Sequence, residues 1–378
     1  MQLTILKERA PFERRSAMVP DVADRLVRQS HHISVESGVG AEANFSDDAY
    51  RAHEVSVSGN VRELLEGTDV LCCVSAPPQE LLAYLRPGSA LVGLLQPSTN
   101  LETVEFLLRQ EITSLSLDLL PRISRAQSMD ALSSQATVSG YRAVLIGASR
   151  LGKFLPMFMT AAGTIPPAKV LVLGAGVAGL QAIATARRLG AVVRANDVRA
   201  SSKDEVQSLG ATFVELPLET QEGTGGYARE QSEDFLNRQR EMIAREVAMA
   251  DIVISTAAIP GRTAPRLVTT EMVEAMAPGS VIVDLAAESG GNCELSRPGE
   301  EVIHRGVIVH GVRNLPSSMP THASFLYARN IAEFVGLLSK DGKLELDFDD
   351  EIVAGSCITY AGEIRHEPTA NLLKEQRS

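Results

Sequence analysis

Residues 169–197 read "KVLVLGAGVAGLQAIATARRLGAVVRAND". A short apolar run gives way at once to glycines 174, 176 and 179. An amphipathic run follows, and then a second apolar run that closes on Asp197. An isolated G-x-G-x-x-G is a weak signal. Placed between a strand and a helix, with a carboxylate about 20 positions on, it is the turn that sets a helix N-terminus against a pyrophosphate. Gly174 permits the tight turn, Gly176 lets the backbone approach a phosphate, and Gly179 lets helix and strand pack closely. The helix start adds unpaired N–H groups and about half a positive charge. The expected contacts are therefore Gly174, Ala175, Gly176, Val177 and Gly179. Asp197 is expected to accept from the adenosine ribose hydroxyls, with Val198 and Arg199 beside it. A 2′-phosphate about 4 Å from that carboxylate would cost on the order of 4 kcal/mol at an effective dielectric of 20. The cofactor is accordingly read as NAD(H). Arg199 could receive a phosphate, so the exclusion is strong but not absolute.

Working outward, Lys169 opens an α/β series that runs on through "DIVISTAAIPG" and "SVIVDLAAESGG" to "VIVHG". The first third of the chain alternates in the same way, with strand-like "LTIL", "HISVES", "DVLCCVS" and "ALVGLL" between helical runs. Such alternation implies βαβ units and parallel sheets covered by helices. Period-3.6 apolar spacing predicts a long helix over residues 130–159, ended by Pro166–Pro167, and a second over 322–339. The tail, 343–364, reads as an antiparallel strand or hairpin. The fold class is thus α/β, with two Rossmann-like doubly wound parallel-sheet domains joined by two long helices and a cleft between them. The expected domains are 1–132 with 322–378, and 133–321.

The chain has 378 residues, enough for two or three domains at about 150 each. Its net charge of −11 disfavours nucleic acid and anionic lipid as partners. The four cysteines, Cys72, Cys73, Cys293 and Cys357, contain no C-x-x-C pair and read as buried thiols of a reducing compartment. The seven histidines lack metal-ligand spacing, so no metal is expected. The N-terminus has no signal core, and no apolar run of about 18 residues could span a bilayer. The chain reads as cytoplasmic, and any membrane span must come from other chains.

Several long motifs carry a resemblance: "PRISRAQSMDALSSQ" (121–135), "PPAKVLVLGAGVAGLQAIATARRLGA" (166–191), "IPGRTAP" (259–265), "GSVIVDLAAESGGNCE" (279–294) and the tail "GEI". Over nearly its whole length the chain resembles the NAD(H)-binding part of proton-translocating nicotinamide nucleotide transhydrogenases, within the alanine dehydrogenase/transhydrogenase family. The N-terminal "LKERAPFERRSAMVPD" fits both branches. The dehydrogenases that it resembles carry a lysine and a histidine for the keto acid. The corresponding segments here are "CCVSAPP" and "GLLQPST", which offer Cys73, Ser75 and Gln96. Acid–base chemistry on an organic acid needs such a group, whereas hydride passing between two nicotinamides does not.

The resemblance implies that the loop at 122–133 holds the nicotinamide. Arg122, Gln127, Asp130 and Ser133 would have the reactive roles, with Ile123, Ser124, Ser128 and Met129 as further cofactor contacts. The plainer reading is that these polar residues cap the long helix, which Asp130 or Ser133 could do as well. "EGTGGYARE" (222–230) resembles the family's loop that closes over NAD(H), with Gly226 and Tyr227 at the nucleotide; it also reads as a plain surface loop. Gln239 and Ala258 are further expected contacts, while Asp284, Glu288 and Asn292 receive no role. The function implied is hydride transfer between NAD(H) bound here and NADP(H) on a partner subunit, coupled to proton translocation by a transmembrane subunit. A homodimer, peripheral on the inner (cytoplasmic) membrane through its partners, goes with it. The alternatives are an alanine dehydrogenase-like enzyme and a non-catalytic NAD-binding redox sensor.

Overall fold

A computed structural model of the chain describes residues 1–199, 201–215, 233–258 and 263–377. The chain divides into two compact units, Met1–Val138 with Pro316–Ser378, and Ser139–Leu315. Each is built on a Rossmann-like doubly wound sheet.

The first unit opens with β1 (Gln2–Ile5), β2 (His32–Glu36), β3 (Ser56–Ser58), β4 (Val70–Ser75), β5 (Ala90–Leu94) and β6 (Thr113–Ser116). These pair in parallel in the spatial order β3-β2-β1-β4-β5-β6. Strand β4, "VLCCVS", shows why its composition suits a central position. Val70, Cys72 and Val74 pack on one face with Tyr327 and Phe334, and Leu71 and Cys73 on the other with Leu65 and Leu107. Successive side chains point to opposite faces, so a strand buried on both sides has no place for a polar one.

The helix Ala131–Arg150 contains the boundary between the units. It stops well short of the expected residue 159. Gly152 and Pro156 follow its end, and a proline cannot continue a helical hydrogen-bond ladder. The remaining apolar residues form an exposed hairpin, β7 (Phe158–Thr160) with β8 (Gly163–Ile165). Pro166–Pro167 therefore end a hairpin strand, not a helix.

The second unit's sheet follows, with β9 (Lys169–Leu173), β10 (Val192–Asn196), β11 (Thr212–Phe213), β12 (Ile252–Ser255), β13 (Val281–Asp284), β14 (Glu301–His304) and β15 (Val307–Gly311). The order is β11-β10-β9-β12-β13-β15-β14, and only β14 runs antiparallel to its neighbour. Gly140 of the long helix lies so close to the carbonyl of Ala178 that a Cβ there would overlap it, and Gly147 likewise abuts Ile252.

The chain returns to the first unit just before the helix Pro320–Leu337, whose Tyr327, Ile331, Phe334 and Val335 fill the core. A small hairpin, β16 (Ser339–Lys340) with β17 (Lys343–Leu344), comes next. The tail then adds β18 (Cys357–Tyr360) and β19 (Glu363–Ile364) antiparallel at the β6 edge.

Candidate functional site

In the second unit the strand order reverses between β9 and β12, and ligands of open α/β sheets bind beyond the carboxyl ends of strands at such a point. The chain leaves β9 through Gly174, at φ +98°, where any other residue would be strained. A Cβ on Gly179 would overlap the Gly174 carbonyl, whereas one on Gly176 would meet no atom within 4 Å. The turn is closed within and open above. The helix Val177–Arg188 starts from Gly176 with no side-chain cap, so none of its first N–H groups is held by one. Thr256, just past β12, donates its hydroxyl to the Gly174 carbonyl at 3.1 Å. Sequence reading missed that residue, which nothing local marks.

Asp197, at the end of β10, is drawn back to this turn. Its Oδ2 accepts from the Ala175 N–H at 2.7 Å, and its Oδ1 accepts from the Arg199 N–H at 2.8 Å and from Arg199 Nε at 3.0 Å. Arg199 Nη2 adds a longer bond of 3.3 Å to Oδ2. Burial pushes the carboxyl up, but the Arg199 guanidinium and the two backbone N–H groups more than offset it and hold it below the usual carboxylate range. Arg199 is thus spent on Asp197. Val198 next to it is 85% exposed and packs in no core. Gln239 is half-buried on the helix Glu233–Met249, and Ala258 is exposed just past β12. Gly226, Tyr227 and the rest of the 222–230 stretch lie outside the described residues.

In the first unit, residues 122–133 follow β6 as an irregular turn that leads into the Ala131–Arg150 helix. Asp130 caps that helix, accepting from the Ser133 N–H at 2.9 Å and the Ser133 hydroxyl at 2.6 Å. The capping use proposed for these two residues is therefore real, and it leaves acceptor capacity on a carboxylate with about four lone-pair sites. Ala126 and Met129 are buried anchors. Asn330 of the Pro320–Leu337 helix donates to the Ser128 carbonyl at 2.8 Å, and Arg125 makes a two-pronged pair with Asp350 at 2.6 and 2.7 Å. On this fixed backbone Arg122, Ser124, Gln127 and Ser128 are exposed, and their side chains make no hydrogen bond or ion pair among the described residues. Ile123 is half-buried against the core. Neither Asn330 nor Asp350 was legible from sequence, because each lies some 200 residues away.

The switch point of the first unit, between β1 and β4, is finished differently. Glu8 accepts from the N–H groups of Val74 and Ser75 at 2.6 and 3.0 Å. Some of the residue's surface stays accessible, but burial of the carboxyl dominates; it outweighs the two N–H bonds and pushes the group up to about 7. Glu13 pairs with Arg15 at 2.6 Å, Arg15 also donates to Gln135 at 2.9 Å, and the Tyr327 hydroxyl donates to the Cys73 carbonyl at 2.8 Å. Burial raises all four thiols, Cys72 to about 12 and Cys293 and Cys357 to about 11. They stay protonated at neutral pH and offer no nucleophile. Among the described residues no cluster of three or more metal-ligating side chains occurs.

Asp284, Glu288 and Asn292 prove to be ties. Asp284 is fully buried and accepts from the Ser255 hydroxyl and from the N–H groups of Ala286 and Cys293. Glu288 accepts from the Asn314 N–H at 2.9 Å. Asn292 binds the backbone beyond β12.

Residues 4–139 match the family described as "Alanine dehydrogenase/PNT, N-terminal domain", and residues 143–367 match "Alanine dehydrogenase/PNT, C-terminal domain". An NAD(P) transhydrogenase subunit alpha chain of Rhodospirillum rubrum is 46% identical over 376 residues, which covers 97% of this chain and 98% of that protein. The crystal structure of a transhydrogenase from Sinorhizobium meliloti aligns with a TM-score of 0.85 at 38% identity, over 97% of this chain and 100% of that one. An L-alanine dehydrogenase structure aligns with a TM-score of 0.83 at 25% identity, over 99% of both chains.

Proposed function

The chain belongs to the alanine dehydrogenase/PNT family, and from that premise we propose that it is the NAD(H)-binding subunit of a proton-translocating nicotinamide nucleotide transhydrogenase. NAD(H) would supply the hydride donor or acceptor. Gly174, Ala175, Gly176, Val177 and Gly179 present the uncapped helix start to the pyrophosphate. Asp197 takes the ribose hydroxyls. Four donors already fill its two oxygens, so it accepts a ribose only where the Arg199 side chain lets go. Val198, Gln239 and Ala258 border the nucleotide, and Gly226 and Tyr227 join them by family expectation.

Arg122, Gln127, Asp130 and Ser133 orient the nicotinamide, with Ile123, Ser124, Ser128 and Met129 forming the rest of the loop's contact surface. Arg122 donates to a carboxamide oxygen or to phosphate, Asp130 accepts from an amide, and Gln127 does either. Alignment is the loop's whole contribution, since positioning alone can supply several kcal/mol of a barrier. One observation carries this reading: free polar tips stand on a backbone pinned by Asn330 and Asp350. A loop that merely capped a helix would have no use for them.

NADP(H) belongs to a partner subunit and the proton path to a transmembrane subunit, through which this chain sits peripherally on the cytoplasmic face of the membrane. No helix among the described residues is long and apolar enough to cross one. A second copy of the chain completes the assembly. The hairpin region supports that, since it exposes Phe154, Met157, Phe158, Met159 and Ile165.

The test mixes the purified chain with an NADP(H)-binding transhydrogenase subunit and follows hydride exchange between NADH and an NADP⁺ analogue. Exchange that needs both chains is the expected result. NADH binding without exchange would leave only a sensor, and NADH oxidation driven by pyruvate and ammonia would make the chain a dehydrogenase; either overturns the proposal.

A further inference from the structure

Asn292 lies in the loop after β13 and is completely buried. Its side-chain amide makes three hydrogen bonds. Oδ1 accepts from the Ala257 N–H at 3.1 Å, and Nδ2 donates to the carbonyls of Ala257 and Pro265, both at 2.8 Å. This pattern also fixes the orientation of the amide, because a flip would set its oxygen against two carbonyls. The Asn292 carbonyl in turn accepts from the N–H groups of Leu267 and Val268.

The paired bonds to Ala257 act as one more rung of a sheet. Ladder pairing of β12 with β13 ends at Ser255 and Asp284. Two residues further on, the Asn292 side chain engages both the N–H and the C=O of Ala257, as a neighbouring strand would. Ala257 matters because of what it touches. A Cβ on Gly174 would lie 2.6 Å from Thr256 Oγ1 and 3.2 Å from the Ala257 nitrogen, so residues 256–257 form one wall of the fingerprint turn. Thr256 donates from its N–H to the Leu173 carbonyl at 2.8 Å. A continuous path of contacts therefore runs from Asn292 through Ala257 and Thr256 to Gly174.

We propose that Asn292 is a positioning residue for dinucleotide binding: it extends the β12–β13 pairing beyond the strand ends and so sets the wall against which the glycine turn is built. The inference rests on the reading of that turn as the NAD(H) site. It demands a planar side chain with two donors and one acceptor. Aspartate has the shape without the donors, serine has one donor, and alanine has none.

The experiment titrates NADH into the full-length chain by its fluorescence between pH 5.5 and 8.5, using wild type, Asn292→Asp, Asn292→Ser and Asn292→Ala, with thermal melting of each. At pH 8 the new carboxylate faces two carbonyls, and Asn292→Asp binds NADH on the order of tenfold more weakly than wild type. As pH falls the acid gains a proton, donates one bond again, and recovers much of that loss relative to wild type at the same pH. Asn292→Ala shows a loss that does not recover. If the carboxylate prevents folding, Asn292→Ser decides: cooperative melting with several-fold weaker binding upholds the inference. Wild-type affinity in a folded variant, or a pH-independent loss in Asn292→Asp that only follows its melting temperature, overturns it. Failure of the wild type to bind NADH strikes the parent reading instead.

Discussion

The strands β1 and β9 hold the same place in two sheets of like order, and their carboxyl ends are finished in opposite ways. After β9 the sequence is G-A-G-V-A-G, and a helix starts at once with its N–H groups uncapped. After β1 it is L-K-E-R-A-P, and the next helix begins only at Pro20. In the first unit Glu8 takes two N–H groups at the end of β4. In the second, Asp197 is tied to the turn at Ala175, and a Cβ at Gly176 would point into open space. Doubly wound topology creates a crevice in either case. The first residues after the strand decide whether the chain plugs it or leaves it for a ligand.

Gly179→Val should break the contrast most severely. Its side chain collides with the Gly174 carbonyl, so NADH binding should vanish from a titration and stability fall by about 3 kcal/mol in chemical denaturation. Next comes Glu8→Gln, which neutralises the plug. A carboxyl raised to about 7 keeps its proton in the fold at pH values where the unfolded chain has lost it. That contribution is full below about 4.5 and is lost as pH rises through about 7, so wild type should lose roughly 2 kcal/mol relative to Glu8→Gln between pH 4.5 and 8, with NADH affinity unchanged. Parallel pH–stability curves would refute the assignment.

Asp197→Ala should weaken NADH binding about tenfold and relax discrimination against NADPH, as read from paired titrations. An unaltered nucleotide preference would remove Asp197 from the ribose. The smallest effect should come from Gln127→Asn, which shortens one exposed side chain on a fixed loop. Hydride exchange with the partner should slow several-fold while NADH affinity stays put. The reverse split would show that Gln127 binds without aligning.

The second unit was the more legible of the two. Its fingerprint glycines, the Asp197 position and the βαβ alternation all rest on spacings within about 30 residues, and local spacing dictates local backbone geometry. The error over residues 151–159 has the same root. Apolar periodicity continued past Arg150, but Gly152 and Pro156 ended the ladder and sent the chain into a hairpin. Arg122 and Gln127 were singled out by a family motif, yet what holds their loop still was not.

The amino-acid order by itself determined two parallel-sheet units, the glycine turn and the carboxylate that closes on it, because each follows from steric and hydrogen-bonding demands between near neighbours. Tertiary structure alone decided that Asn330 pins Ser128, that Glu8 fills the first crevice and that Asn292 carries β-type pairing to Ala257. A buried polar side chain takes whichever backbone group the packed elements bring within reach, and linear spacing does not record that choice.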